Sequence, residues 1–307
     1  MSSHTLRYEP RILSGREFSA QEIQDIQETV QVYGRLGWTE LVLTICEHLQ
    51  WVTPAGRYKA DSCGKALRKL EGQGLLKLPV PQKVLNGWGK PEAVVLRART
   101  EPEPEIVGGV AEVTPVEVQP VRDKEAVGLW NEYVQRYHSL GSKRPFGAHP
   151  RYFVLGRGGM RLGCLLFAAS AWALEKRDTW IGWTARDRVQ RLHRVVGNTR
   201  FLLFPWVHLK NLASKALSLV AQRIREDWQQ RYGYRPVLLE TFVDVEHYRG
   251  TCYQAANWIA LGQTQGRGRM DRHTQYLSRP RWIYVYPLVR EFRAVLCGSG
   301  QLGGCGQ

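Results

Sequence analysis

The sequence predicts a mixed α/β protein in two parts, a small helical module followed by a larger domain built on a mixed sheet. Three observations carry this. Helical apolar periodicity dominates residues 19–73, strand and helix signals alternate after residue 121, and a long helical stretch at 211–233 stands between two apolar strand segments. The strand, long helix, strand unit calls for a parallel pair with a right-handed crossover. The Gly158-Gly159 turn just before it calls for an antiparallel hairpin, so the sheet combines both pairings. At 307 residues the chain is long enough for two domains of about 100 to 200 residues.

Charge narrows the partners. Lys+Arg 43 against Asp+Glu 28 leaves a net charge of +15, which favours a polyanion such as DNA or RNA. Six scattered cysteines form no CxxC pair and no zinc spacing, as expected of reduced thiols in a cytoplasm. No run approaches the roughly 18 apolar residues that span a bilayer, and the N-terminus has no apolar signal core, so neither a membrane partner nor secretion is expected.

Residues 1–18 read as a polar arm. "SAQEIQDIQETVQVY" then reads as a helix capped by Ser19, with Ile23, Ile26 and Val30 on one face. "WTELVLTICEHLQW" gives a second, with Thr39 as candidate cap and Leu41, Ile45 and Leu49 as its stripe. After the turn "TPAGRYK" comes a third, with Asp61 as cap, Ala66, Leu67 and Leu70 buried, and Gly74 as stop before a short strand. Helix, helix, turn, basic helix, strand is a winged-helix order, assigned here to residues 19–98. Its third helix would present Lys65, Arg68 and Lys69 to phosphates, or to solvent as a plain basic face.

The Pro/Glu/Gly/Val stretch 99–120 reads as a linker whose end, "TPVEVQPV", could be a first strand. The second domain, 121–297, opens with the helix "DKEAVGLWNEYVQRYHSLG" and the hairpin "RYFVLGR"/"RLGCLLFAASAW". The strand "TRFLLFPWV" leads into the long helix, with Asn211 as cap and Gly233 as stop. The strand "PVLLETFVD", the helix "GTCYQAANWIAL" and the strand "RWIYVYPLV" complete it, and residues 298–307 are a tail.

Several side chains are chemical candidates. Glu240 and Asp244, four apart in a strand, share a face, and with Asp178 could hold a divalent metal ion for strand cleavage. Alternatively Glu240 pairs with an arginine and Asp244 caps the following turn. Cys252, at a helix start, is a candidate thiolate or a packed small residue. His138 is a candidate base or a backbone-bonding structural group. The stretch 265–293 holds seven arginines and no lysine, interleaved with aromatics, which suits phosphate contact and base stacking, including on single-stranded DNA. Arg267, Arg269, Arg272, Arg279 and Arg281 come from it; Lys210, Lys215 and Arg249 are further candidate nucleic-acid contacts.

The segments "TICEHLQWVTPAGRYK", "LRKLEGQGLLKLP", "LWNEYVQRYHSLG", "RDTWIGW", "NTRFLLFPWV", "LASKAL", "LLETFVD" and "GTCYQAANW" together resemble the DruA family, named for a component of the Druantia anti-phage system and resembling companions of insertion-sequence transposases. The resemblance implies a DNA-binding role in defence or mobile-element biology, with defence-system or transposase proteins as partners. In element order the second domain resembles the GNAT fold of acyl-CoA N-acyltransferases. That resemblance implies Tyr253 as a proton donor and puts Asn257-Trp258 in the place of a Gly-Phe pair. It implies CoA as cofactor too, but the turn "VHLKNLASKAL" lacks the glycines that would cradle a pyrophosphate. If the protein is an enzyme, the expected cleft holds His138, Glu240, Asp244, Tyr253 and Asn257, with Glu240 as base or metal ligand, Tyr253 as acid or nucleophile and Asn257 as positioner. The alternatives are a non-catalytic DNA-binding adaptor on a decayed transferase fold, and an acyl-CoA-dependent N-acyltransferase.

Overall fold

The computed structural model describes residues 11–33, 38–49, 51–53, 58–78, 94–143, 145, 148–171, 174–264 and 280–298. Strands β1 (Arg11–Leu13) and β2 (Arg16–Phe18) form an antiparallel hairpin. Residues 11–18 are therefore not a free arm: Leu13 and Phe18 are buried in one core with the three helices that follow. Those are α1 (Ala20–Tyr33), α2 (Trp38–His48) and α3 (Ala60–Gly72). Ser19 and Glu22 cap α1 reciprocally, each backbone N–H donating to the other's side chain. Thr39 lies inside α2, which starts at Trp38, and Asp61 sits in the first turn of α3 rather than at its cap, Lys59. Gly74 takes φ +71 and ends α3 as its sequence position predicts. No strand forms at 75–78, and a wing at 79–93 lies outside the described residues.

The segment expected as a linker is built into the second domain. Strand β3 (Ile106–Gly109) pairs in parallel with β8 (Val207–Lys210), and β4 (Glu117–Val121) forms an edge of the main sheet. Val113, Val116, Val118 and Val121 are buried there, which outweighs the segment's Pro and Glu content. Helix α4 (Lys124–Tyr137), capped by Asp123, precedes the hairpin of β5 (Arg151–Leu155) and β6 (Arg161–Ala169). Gly158 and Gly159 turn that hairpin at φ +69 and +80. Helices α5 (Glu175–Ile181) and α6 (Ala185–Arg191), too short to show a clear apolar period, lead into β7 (Val195–Leu203).

From there the order is as expected: α7 (Leu212–Tyr232), β9 (Leu238–Asp244), α8 (Thr251–Ala255), β10 (Ile259–Gln263), β11 (Arg281–Pro287) and α9 (Phe292–Leu296). Among the described residues the main sheet runs β10-β11-β9-β7-β6-β5-β4. Only β7 and β9 pair in parallel within it, joined by α7, so the architecture is mixed α/β. Helix α8 is shorter than its sequence suggested, because Asn257 takes φ +62 and the chain re-enters the sheet at Ile259. Helix α1 packs against α6, and Gln190 donates to Glu28 at 3.4 Å, so the helical module rests on the second domain.

Candidate nucleic-acid interface

The β7–β9 pairing covers only Val195–Asn198 against Leu238–Thr241. Beyond it β7 continues along β6 and β9 along β11, and Thr199 is bulged out of the β6 register. Tyr253 reaches this divergence from α8. Its hydroxyl donates to Asn198 Oδ1 at 2.8 Å, and Thr241 Oγ1 donates to the Asn198 carbonyl at 3.0 Å. The ring stacks on Tyr284 and meets Trp258 and Phe201 edge-on. Burial pushes the phenol well above its ordinary pKa, against the smaller effect of the Thr241 contact.

Glu240 is wholly buried, and both its oxygens are engaged. Oε1 accepts from the Ala171 N–H and Oε2 from Arg177 Nη1, each at 2.8 Å. Arg177, also wholly buried, pairs with Asp178 at 2.7 Å and donates to the Ala171 carbonyl; Asp178 in turn accepts from Arg188 at 3.0 Å. Burial would lower the guanidinium pKa, yet the Glu240 and Asp178 carboxylates hold it above its ordinary value. Asp178 lies in α5, not in a loop. Asp178 and Glu240 do come together, but on an arginine.

The expected five-residue cleft is not assembled. Glu240 and Thr241 are neighbours in a strand and point to opposite faces; Tyr253 is on the Thr241 side and Arg177 on the Glu240 side, so Glu240 and Tyr253 cannot act on one substrate. Asp244 is four residues, about 13 Å, further along β9. There it accepts from the Glu246 N–H and lies 3.3 Å from His247 Nδ1. His138 ends α4 and its Nδ1 accepts from the Leu140 N–H at 3.2 Å; burial first, and Arg200 second, push its pKa down to about 4. Asn257 is exposed. Cys252 is the reverse of an activated thiol, since burial raises its pKa despite its place at a helix start. Among the described residues no three His, Cys, Asp or Glu side chains are placed to hold a metal ion, which leaves Asp178, Glu240 and Asp244 without that role.

The segment entering α7 carries no glycine, as its sequence shows. Residues 207–210 are committed to β3 through strand pairing, and Asn211, at φ +65, occupies the left-handed position with a side chain that a glycine would lack.

The basic candidates are placed differently. Lys65, Arg68 and Lys69 are exposed on one face of α3, and among the described residues no carboxylate pairs with them. With Ser14 and Ser62 they line a hollow of about 510 Å³. Lys210, Lys215, Arg249 and Arg281 are exposed but sit on four separate elements or turns of the second domain. Arg267, Arg269, Arg272 and Arg279 lie outside the described residues. Tyr284 is buried, and Trp282 and Tyr286 half-buried, which limits the aromatic surface that this stretch offers to bases. Arg177, Asn198, Ser14 and Ser62 are what the sequence reading missed; none of them sits in a motif that marks it.

Residues 70–279 match the family model of Druantia protein DruA. No curated protein matches the sequence. Among solved structures, the chain is similar to a point mutant of the spermidine N-acetyltransferase SpeG from Vibrio cholerae, with 9% identity, a TM-score of 0.37 and coverage of 60% of this chain and 98% of that one. It is also similar to FeeM, an N-acyl amino acid synthase from uncultured soil microbes, with 11% identity, a TM-score of 0.32 and coverage of 56% and 90%. The CoA-dependent acyl-homoserine lactone synthase MesI gives 12% identity, a TM-score of 0.31 and coverage of 62% and 100%. TM-scores of this size carry no argument about activity or site. No helix among the described residues is long and apolar enough to cross a membrane.

Proposed function

The chain belongs to the DruA family, and from that premise we propose that it is a DNA-binding protein of a phage-defence system, holding the DNA backbone on the cationic face of α3. In this reading the hairpin and helices α1–α3 form a winged-helix-like module with α3 as its contacting helix, and the second domain is a scaffold, not a catalytic centre. The observation that carries the proposal is the i, i+3, i+4 set Lys65, Arg68 and Lys69: three exposed cations on one helix face, without a carboxylate partner among the described residues. A net charge of +15 supports it. The scaffold role is supported by the engagement of Glu240 with Arg177 and of Tyr253 with Asn198.

Fluorescence anisotropy with labelled duplex and single-stranded DNA over a salt series tests this. Affinity should fall linearly in log[salt], and Lys65→Gln, Arg68→Gln, Lys69→Gln combined should reduce the slope by about 2 to 3 on either DNA form. Absence of binding at low salt, or an unchanged slope in the triple variant, would refute the proposal. The acyltransferase alternative has a separate test, calorimetric binding of CoA.

A further inference from the structure

The hollow beside α3 is made by two elements, and the second was hidden from a helix-based reading. Its lining joins Ser14, from the turn of the β1–β2 hairpin, to Ser62, Lys65, Arg68 and Lys69 of α3. The turn is held over the helix. Leu13 and Phe18 anchor the hairpin in the core, and Arg11 Nη1 donates to Gln73 Oε1 at 2.9 Å, tying the hairpin to the far end of α3. Ser14 at φ +50 and Gly15 at φ +74 complete the tight turn that brings Ser14 to the hollow.

The neighbouring charges sort themselves. Arg16 is taken up by Glu22 and lies over the Phe18 and Trp51 rings, so its guanidinium is engaged within the module. Arg68 is braced 5.1 Å from the centroid of the Trp38 ring, which orients its guanidinium without neutralising it. Every side chain on the lining can donate: the lysines and the arginine carry no acceptor, and the two hydroxyls can turn their protons toward a ligand. A phosphate offers acceptors alone, as the N7/O6 edge of guanine also does, and it carries the negative charge that three cations on one lining call for; the duplex-composition arm of the test separates the two. A lining of this composition matches the phosphate.

We infer that this hollow is a phosphate site, in which Ser14 and Ser62 join Lys65, Arg68 and Lys69 in binding a phosphodiester without reading the bases. The inference rests on the DNA-binding reading above and adds its contact chemistry. Binding here positions DNA and selects no sequence.

Hydroxyl and charge contributions separate in a salt series. Ser14→Gly, which suits the positive φ of the turn, and Ser62→Ala should each weaken DNA binding about ten-fold, by loss of a hydrogen bond to a charged oxygen, and leave the salt slope unchanged. Lys65→Gln should weaken it and reduce the slope by about 1. AT-rich, GC-rich and mixed duplexes should lose the same factor. Circular dichroism spectra and melting curves equal to the parent's identify folded variants, and Ser14→Ala gives a second hydroxyl-free variant should Ser14→Gly loosen the hairpin. Full affinity in the folded serine variants, with Lys65→Gln still impaired, overturns the inference and leaves the DNA-binding reading standing. Loss confined to one duplex composition overturns it too, because a base is then being read. Inorganic pyrophosphate whose binding is lost in Lys65→Gln yet which does not displace DNA from the parent protein places a free polyphosphate, not DNA, in the hollow and also overturns it. A parent protein that binds no DNA overturns both.

Discussion

Replacing Glu240 by Gln tests whether this carboxylate is a structural keystone or a reactive group. The glutamate serves two donors, the Ala171 N–H and Arg177 Nη1, both at 2.8 Å. A glutamine keeps one acceptor oxygen for these two donors, and its amide nitrogen must then face one of them. One charge-assisted hydrogen bond is lost, about 1.5–3 kcal/mol, and one buried donor is left unmet, about 1–3 kcal/mol. Arg177 keeps Asp178 and the Ala171 carbonyl, which sets the expected loss in the lower half of that sum, about 3 kcal/mol. This agrees with the roughly 3–5 kcal/mol lost when one partner of a buried pair is removed. Urea unfolding at pH 7, followed by tryptophan fluorescence, measures it. An Arg177→Met, Glu240→Leu double variant should be less destabilised than the sum of the two single changes, because no buried charge is left alone. If Glu240→Gln unfolds within about 0.5 kcal/mol of the parent yet loses function, the keystone reasoning is refuted and a direct role returns.

Four further outcomes follow from the same geometry. Gly163→Ala should destabilise the protein by about 2 kcal/mol or more in the same urea assay, since a Cβ there would collide with the Leu202 carbonyl across the β6–β7 pairing; an unchanged midpoint would contradict that register. Tyr253→Phe should cost about 1–2 kcal/mol by orphaning Asn198 Oδ1, with DNA affinity unaltered; retained stability with abolished function would make the phenol reactive instead. Stability should fall with acid: His48 and His193 have pKa values pushed from 6.5 down to about 3, in both cases by burial first and a neighbouring arginine second. Their unfolded forms take up protons below about pH 6.5 while the folded forms do not, so the unfolded state binds more protons and stability drops between pH 6.5 and 3, at up to about 1.4 kcal/mol per pH unit for each imidazole; a urea midpoint that does not fall from pH 6.5 to 5 counts against it. Iodoacetamide should leave the buried Cys46, Cys63 and Cys164 unlabelled in the native protein and reach them on unfolding, as mass spectrometry would show.

Local signals were legible where a single element decided its own form. The stripes of α1, α2 and α3, the Gly158-Gly159 turn and the long α7 closed by Gly233 all follow from periodicity and glycine placement within one segment. What stayed hidden depends on partners far away in the chain. Strand β3 exists because β8, about a hundred residues later, pairs with it, and β4 because its valines meet the domain core. Helices α5 and α6 are short, and α5 carries a charge on its buried side: Arg177 reads as one more surface arginine until Glu240, 63 residues on, is placed against it. The stretch "ETFVDVEHYRGTCYQAANW" put Glu240 and Tyr253 close in sequence, and strand alternation then sent them to opposite faces of the sheet.

That separation changes how loss of function should be interpreted. From Glu240 a run of polar contacts passes through Arg177 and Asp178 to Arg188 on α6. Arg188 lies near enough to His48 to help suppress its protonation, after burial, and the His48 ring meets Thr29 of α1 at 3.1 Å. Helices α5 and α6 thus form a strut between the sheet and the module that carries α3. Loosening it at Glu240 perturbs the support of α1 as well as the sheet, so a Glu240 variant can lose DNA binding without having touched DNA. Loss of function there is evidence of chemistry only when the variant is as stable as the parent, whereas Lys65 and Ser14, exposed or half-exposed at the hollow and outside this run of contacts, report on binding directly.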